Sequence, residues 1–316
     1  MISVLGEDSP QAVSVMNNLA LLLENQGLYD EAEPLFKKAH TISEKIQGER
    51  HPTTLALLNN LAFLYESQGD FERSELNYGK VIQLNTEVFG EAHSNTLSNQ
   101  NNLAYLFLRA ERFDEARPIF TKVHNLWKEQ LGENHQNTLK ALNNLGRVQK
   151  SLGNLDEAEK LLTAALNGRK KIFGKRHADT LRSMNDFGEL LVIQDKKEEA
   201  LKIFRETLKL EEEVLGENHP YTFETLNNLS RLLEDLGQNE EAYEIYKIGF
   251  NRRNTFFDRV LWVAGDNTRQ SYIKLHKPEQ DAYIRILLSL DDERTAQDLL
   301  EVILQRKGML LKITSM

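Results

Sequence analysis

The chain has no cysteine among its 316 residues, which removes disulfides, thiolate metal ligands and a cysteine nucleophile from its chemistry. No apolar run approaches the ~18 residues of a membrane span, and the amino terminus lacks a basic segment followed by an apolar stretch. The expectation is a protein that stays off membranes, with the cytoplasm as its default location. Positive charge is also short, with 39 Lys and Arg against 48 Asp and Glu and a net charge of −9. Nucleic-acid binding relies on a basic surface that displaces counterions, so that class is not expected. Glycine-rich phosphate loops, H-E-x-x-H and G-x-S-x-G elbows are missing too. Neither an enzyme nor a cofactor is expected.

What the chain does contain is one pattern recurring at a fixed 42-residue step. Asn17-Asn18-Leu19-Ala20, Asn59-Asn60-Leu61-Ala62, Asn101-Asn102-Leu103-Ala104 and Asn143-Asn144-Leu145-Gly146 are followed by Asn185-Asp186-Phe187-Gly188 and Asn227-Asn228-Leu229-Ser230. Six copies without an insertion imply a stacked helical array. Within one copy, apolar positions three or four apart define a helix before Gly69 and another after it. Pro10, Pro52 and Pro220 read as helix starts, where a missing N–H has no partner to lose. Gly27, Gly69, Gly153 and Gly237 read as left-handed residues between paired helices, a position that Glu111 and Asp195 occupy in two copies. Those two turns are expected to be strained, shifted or looser. Small residues recur where helices must approach, at Ala20 and Ala32 and their equivalents, and large ones at Phe36, Tyr78, Phe120, Leu162, Phe204 and Tyr246.

These residues resemble the tetratricopeptide family, in the 42-residue variety seen in kinesin light chains. The shared signature is G-x-x-H-P-x-T-L, then N-N-L-A, Q-G and E-A, and the resemblance spans about Gly6 to Asn254. It implies an all-α, right-handed superhelical solenoid of six helical hairpins plus C-terminal helices. The units run 6–47, 48–89, 90–131, 132–173, 174–215 and 216–257, with 255–316 as a helical cap or linker. First helices are predicted near 11–26, 53–68, 95–110, 137–152, 179–194 and 221–236. Second helices are predicted near 29–47, 71–89, 113–131, 155–173, 197–215 and 239–263.

In that family the first helix of each hairpin lines a concave groove. Carried onto this sequence, the groove comprises Asn59, Asn60, Phe63, Asn101, Asn102, Tyr105, Arg109, Lys140, Asn143, Asn144, Arg147, Lys150, Arg182 and Asn185. An amide side chain offers a donor and an acceptor, so it can pair with a peptide N–H and C=O in any sequence context. Phe63 and Tyr105 suit an apolar anchor, and Arg109, Lys140, Arg147, Lys150 and Arg182 form a basic strip. The expected partner is a protein or peptide segment carrying one bulky apolar residue beside acidic ones, which the resemblance to kinesin light chains also implies. The competing reading has the asparagines tying neighbouring helices together and the charges forming a solvated face.

Five histidines sit 42 apart, at His51, His93, His135, His177 and His219. Each falls in a separate loop, and neighbouring loops should lie about 20 Å apart, whereas zinc needs its ligands ~2 Å from one ion. They are expected to cap or pack helix starts, and no metal is expected.

After Asn254 the 42-residue register stops. Phe256 to Trp262 is predicted to continue a helix, Asp266 to Gln270 to turn into another, Pro278 to start a third reaching Leu290, and a fourth to end near Lys307 to Leu311. The motifs R-x-x-F-F-x-x-V-L, T-R-Q and Leu304-Gln305-Arg306-Lys307-Gly308 resemble the region joining tetratricopeptide arrays to CHAT domains, caspase-like peptidases of bacteria. That resemblance implies a peptidase domain with its His and Cys beyond Met316. The functional expectation is a non-catalytic binding scaffold, the sensor or regulatory half of a larger protein. The alternatives are an assembly adaptor using convex or end surfaces, and the N-terminal part of a CHAT protease.

Overall fold

The computed structural model describes residues 8–261, 266–290 and 292–314, with side chains described for 8–254, 276–290 and 292–304. The described residues form fourteen helices and no strand. They are α1 (Pro10–Asn25), α2 (Tyr29–Gln47), α3 (Pro52–Ser67), α4 (Phe71–Phe89), α5 (Ser94–Arg109), α6 (Phe113–Leu131) and α7 (Gln136–Ser151), followed by α8 (Leu155–Phe173), α9 (Ala178–Ile193), α10 (Lys197–Val214), α11 (Pro220–Asp235), α12 (Asn239–Leu261), α13 (Asp266–Leu290) and α14 (Glu293–Thr314). The fold is all-α, as the sequence predicts. The chain divides into two compact units, Met1–Leu152 with Trp262–Ser271, and Gly153–Leu261 with Tyr272–Met316.

Each first helix begins one residue earlier than predicted, because the residue before it is the N-cap, Ser9 in the first hairpin and a histidine in the other five. His51, His93, His135, His177 and His219 each accept the backbone N–H of the residue two further on at Nδ1, every one at 3.2 Å. Thr54, Thr96 and Thr222 then donate to the carbonyls of Gly48, Gly90 and Gly216 at 2.9 Å. Those glycines sit at φ 91, 92 and 93°, where a Cβ would be strained. The G-x-x-H-x-x-T spacing is therefore a closed loop: a left-handed glycine turns the chain, histidine caps the helix, and threonine ties the helix back to the glycine.

The turn inside each hairpin is a Schellman-type end. Asp70 N donates to Tyr65 O at 2.9 Å across Gly69. Glu111 and Asp195 adopt φ 59 and 60° in the equivalent turns. Arg112 N still reaches Phe107 O, and Lys196 N reaches Leu191 O, both at 2.8 Å. These turns are thus neither shifted nor opened; the side chain is carried in left-handed backbone at a cost of ~1–2 kcal/mol. Glycine would relieve that cost but lose unfolded-state entropy, so Glu111→Gly is expected to stabilise the first unit by about 0.5–1 kcal/mol in a urea titration.

In the first unit the small positions Ala20, Ala62, Ala104, Ala32, Ser74 and Ala116 are fully buried, and Phe36, Tyr78 and Phe120 fill the space beside them. In the second unit Leu162, Phe204 and Tyr246 play the same part. Gly188 shows how tight that approach is, since a Cβ there would lie 2.6 Å from the Phe204 ring. The core of the second unit extends past the repeat, where Ala282, Tyr283, Ile286 and Leu287 of α13 and Val302 of α14 join Leu229, Leu233, Tyr243 and Tyr246.

The C-terminal helices differ from expectation. No turn separates Asp266 from Gln270, and Pro278 lies inside α13 instead of starting a helix. Proline there forfeits one backbone hydrogen bond, while the helix beyond it is held by the buried face from Ala282 to Leu287. Tertiary burial overrides the local signal. Helix α14 likewise continues to Thr314, beyond the end predicted near Leu311. The side chains of the Phe256 to Trp262, Thr268 to Gln270 and Gln305 to Gly308 motifs lie outside the described residues, as does Gly6.

Candidate functional site

The paired asparagines are joined to one another. In the first unit Asn60 Nδ2 donates to Asn17 Oδ1 at 2.9 Å, and Asn102 Nδ2 donates to Asn59 Oδ1 at 3.2 Å. In the second, Asn228 Nδ2 donates to Asn185 Oδ1 at 3.1 Å. The second asparagine of one repeat thus donates to the first asparagine of the repeat before it. A carboxamide has two polar ends, and each tie consumes one. Among the described residues, Asn59 keeps its donor and Asn60 its acceptor outside these ties.

Accessibility then sorts the ladder. Asn59, Asn60 and Asn102 are half-buried, and Phe63 is 44% exposed on the same helix as the first two. Asn101 and Asn143 are 1% exposed, and Asn144 and Asn185 3%. The structure therefore places four of the amides expected in the groove inside the helix packing, so the ladder is partly a structural tie. Asn185 is occupied further by Thr225, whose hydroxyl donates to its Oδ1 at 3.2 Å.

The basic residues are similarly engaged. Arg109 Nη1 lies 3.1 Å from Glu66 Oε1, a carboxylate only 1% exposed that also accepts from the Tyr78 hydroxyl at 3.3 Å. Burial pushes the Glu66 pKa up, and the Arg109 charge and hydrogen bond oppose that. One repeat earlier, burial raises Glu24 to about 7 while a hydrogen bond from Ser67 pulls it down. Arg147 stacks its guanidinium 5.6 Å from the Tyr105 ring centre, and Lys140 is exposed. Arg182, in the second unit, lies over Tyr221 at 5.4 Å and donates to its hydroxyl at 3.2 Å. Sequence reasoning saw these cations and missed the buried acids, because a glutamate at helical spacing reads as a solvated charge until its burial is known.

Two further features escaped the sequence. Between α3 and α5 a cleft of about 190 Å³ opens onto Asn59 and Asn60, floored by Asn85 and Asn99 and walled by Pro52, Leu55 and Ala56. The density of amides from Asn95 to Asn102 was its only sequence signal. In the second unit, Glu279 of α13 accepts from Asn227, the first asparagine of the last pair, and ion-pairs with Arg253. His276 lies 3.1 Å from the same carboxylate, and burial with the Arg253 charge holds its pKa down to about 3. An acidic side chain of the protein itself therefore occupies the last rung. Among the described residues no group of three or more His, Asp or Glu is placed to hold a metal, and no helix is long and apolar enough to cross a membrane.

No curated protein matches the chain. Solved structures do match its fold at low identity. BtubC (BKLC) from P. vanneervenii is 19% identical over 74% of this chain and 91% of its own, with a TM-score of 0.55. The nearly identical TPR-like repeats of a kinesin light chain candidate from Podosopora anserina give 20%, 65% and 97%, with a TM-score of 0.53. The Rap conjugation gene regulator of plasmid pLS20, solved with the Phr* peptide, is 15% identical across 97% of both chains, at a TM-score of 0.58. The family model described as "Tetratricopeptide repeat" matches residues 11–87, 95–171, 150–213 and 194–247. With well over half its length matched on helical hairpins of the expected spacing, this chain belongs to the tetratricopeptide repeat family.

Proposed function

We propose that the protein is a non-catalytic scaffold that holds an extended peptide against the first helices of its first unit. The observation that carries this is the half-used amide ladder. Asn59 and Asn60 spend one polar end each on neighbouring asparagines and keep a donor and an acceptor side by side. An extended residue presents the complementary pair on one side, so its carbonyl accepts from Asn59 Nδ2 and its N–H donates to Asn60 Oδ1. Exposed Phe63 and half-buried Tyr105 supply a place for one bulky apolar side chain. Lys140 and Lys150, on α7 of the same unit, favour an acidic neighbour. A structure sharing this fold holds a peptide, the Phr* peptide of the pLS20 regulator, which is in keeping with a peptide-binding role here as a regulatory or sensor module.

The test is a fluorescence-anisotropy titration with labelled decapeptides carrying tryptophan between two aspartates, or between two asparagines. The acidic peptide should bind about tenfold tighter at low salt, and Lys140→Glu with Lys150→Glu should erase the difference. Equal affinity for both peptides, unchanged in the variant, would refute the acidic preference.

A second reading, assembly through an end surface, is favoured by Leu288, Leu300, Ile303 and Leu304, which stay exposed on α13 and α14. It predicts that the groove variants leave association with a partner intact.

A further inference from the structure

We propose that the cleft between α3 and α5 is a side-chain subsite for a carboxamide, the side chain of a glutamine or asparagine in the bound peptide. The proposal rests on the peptide reading above for the backbone that delivers this side chain, and on separate residues for its recognition. The cleft holds about 190 Å³, well beyond the ~10–15 Å³ that one trapped water needs, which is room for a small side chain. It opens beside Asn59 and Asn60, where the backbone would lie.

Its floor decides the chemistry. Asn85 is 2% exposed and donates Nδ2 to Val81 O at 2.9 Å, which leaves Oδ1 as an acceptor. Asn99 is 7% exposed, lines the cleft, and has no hydrogen-bond partner for its side chain among the described residues. No Asp, Glu, Lys or Arg lines the space. A carboxylate or ammonium entering it would lose hydration without a counter-charge. An aliphatic group would leave Asn85 and Asn99 unmatched. A carboxamide answers both: it can pair reciprocally with Asn99, its C=O accepting from Nδ2 and one N–H reaching Oδ1, while its second N–H reaches Asn85 Oδ1. Pro52 and Leu55 cover its methylenes.

The repeat itself explains why the space is there and supplies the control. One step further along, the positions of Asn85 and Asn99 are taken by Trp127 and Ala141, which pack in one buried cluster. The indole fills what the two asparagines leave open. Asn85→Trp with Asn99→Ala installs that packing solution between the second and third repeats, so the variant should fold, as circular dichroism will report.

Saturation-transfer NMR titrations with N-acetylglutamine methylamide, and with its glutamate and norleucine counterparts, test the site on the whole chain. The glutamine compound should bind about tenfold tighter than either counterpart, and the folded double variant should lose that preference. Equal binding of the three, or a glutamine preference that survives filling the cleft, would overturn the proposal. If the wild type shows no carboxamide preference but captures the decapeptide, the subsite fails alone; if the carboxamide binds and no extended peptide does, the ladder reading fails alone.

Discussion

Replacing Trp127 by alanine is expected to destabilise the first unit by about 3–5 kcal/mol, the range for emptying a buried aromatic site. Trp127 is 1% exposed and packs with Leu97, Val123 and Ala141, with Ile119 and Leu126 at its edge. Ala141 cannot grow into the vacated volume, and helices α5 and α7 are each fixed by a histidine cap. Because the indole Nε1 has no hydrogen-bond partner, the loss is one of packing, and Trp127→Phe should cost under half as much. Trp127→Asn with Ala141→Asn, which copies the pair at Asn85 and Asn99, should be no less harmful than Trp127→Asn alone, since Asn85 bonds Val81 O and not Asn99, and the second amide adds another unmatched group. Urea unfolding followed by far-ultraviolet circular dichroism measures all four. A loss below about 1 kcal/mol for the alanine variant would show that the site collapses and that indole volume does not hold these helices apart.

Stability of the second unit is expected to fall as pH rises through 8, and Glu211→Gln should abolish most of that fall. Glu211, on α10, is fully buried. Burial raises its pKa from 4.5 to about 8; the Thr225 hydroxyl nearby lowers it, and the charges of Glu224 and Glu212 raise it. A carboxyl whose folded pKa lies above its unfolded value binds its proton more tightly when folded. Its contribution is complete below pH 4.5 and is lost as pH climbs to 8. The slope for one proton is ~1.4 kcal/mol per pH unit, so the wild type should lose a few kcal/mol between pH 5.5 and 9. Glutamine keeps the shape without the proton, and its urea midpoint should move little over the same interval. In the first unit Glu24, raised to about 7 by burial, adds a dependence of the same sign. A wild-type midpoint that rises or stays level from pH 5.5 to 9 would place the Glu211 charge in water.

Most of the fold was legible because the signals that set it are local and repeated. A glycine, a histidine and a threonine at fixed spacing close each loop, and Glu111 and Asp195 take the left-handed conformation that their position demands. What the sequence misread lies where local chemistry loses to burial. Pro278 reads as a helix start, and the buried run from Ala282 to Leu287 makes it an interior residue instead. The candidate site was half legible. Paired asparagines identify a helix face, but periodicity cannot say which amides are swallowed by packing, and Asn101, Asn143, Asn144 and Asn185 are. Nor can it show that Arg109 answers a buried Glu66. The cleft at Asn85 and Asn99 arises from a difference between repeats, invisible to a search for what they share.

The central claim is that the half-used amides of the first unit take hold of a peptide backbone. Its most direct test is a nitrogen-15 NMR titration of the whole chain with the acidic tryptophan decapeptide, read at the asparagine side-chain amides. Saturable shifts of Asn59, Asn60 and Asn102, with the buried Asn101 and Asn144 moving least, are the predicted result. Shifts confined to second-helix or C-terminal residues, with the signals of Asn59 and Asn60 unmoved at saturation, would contradict it.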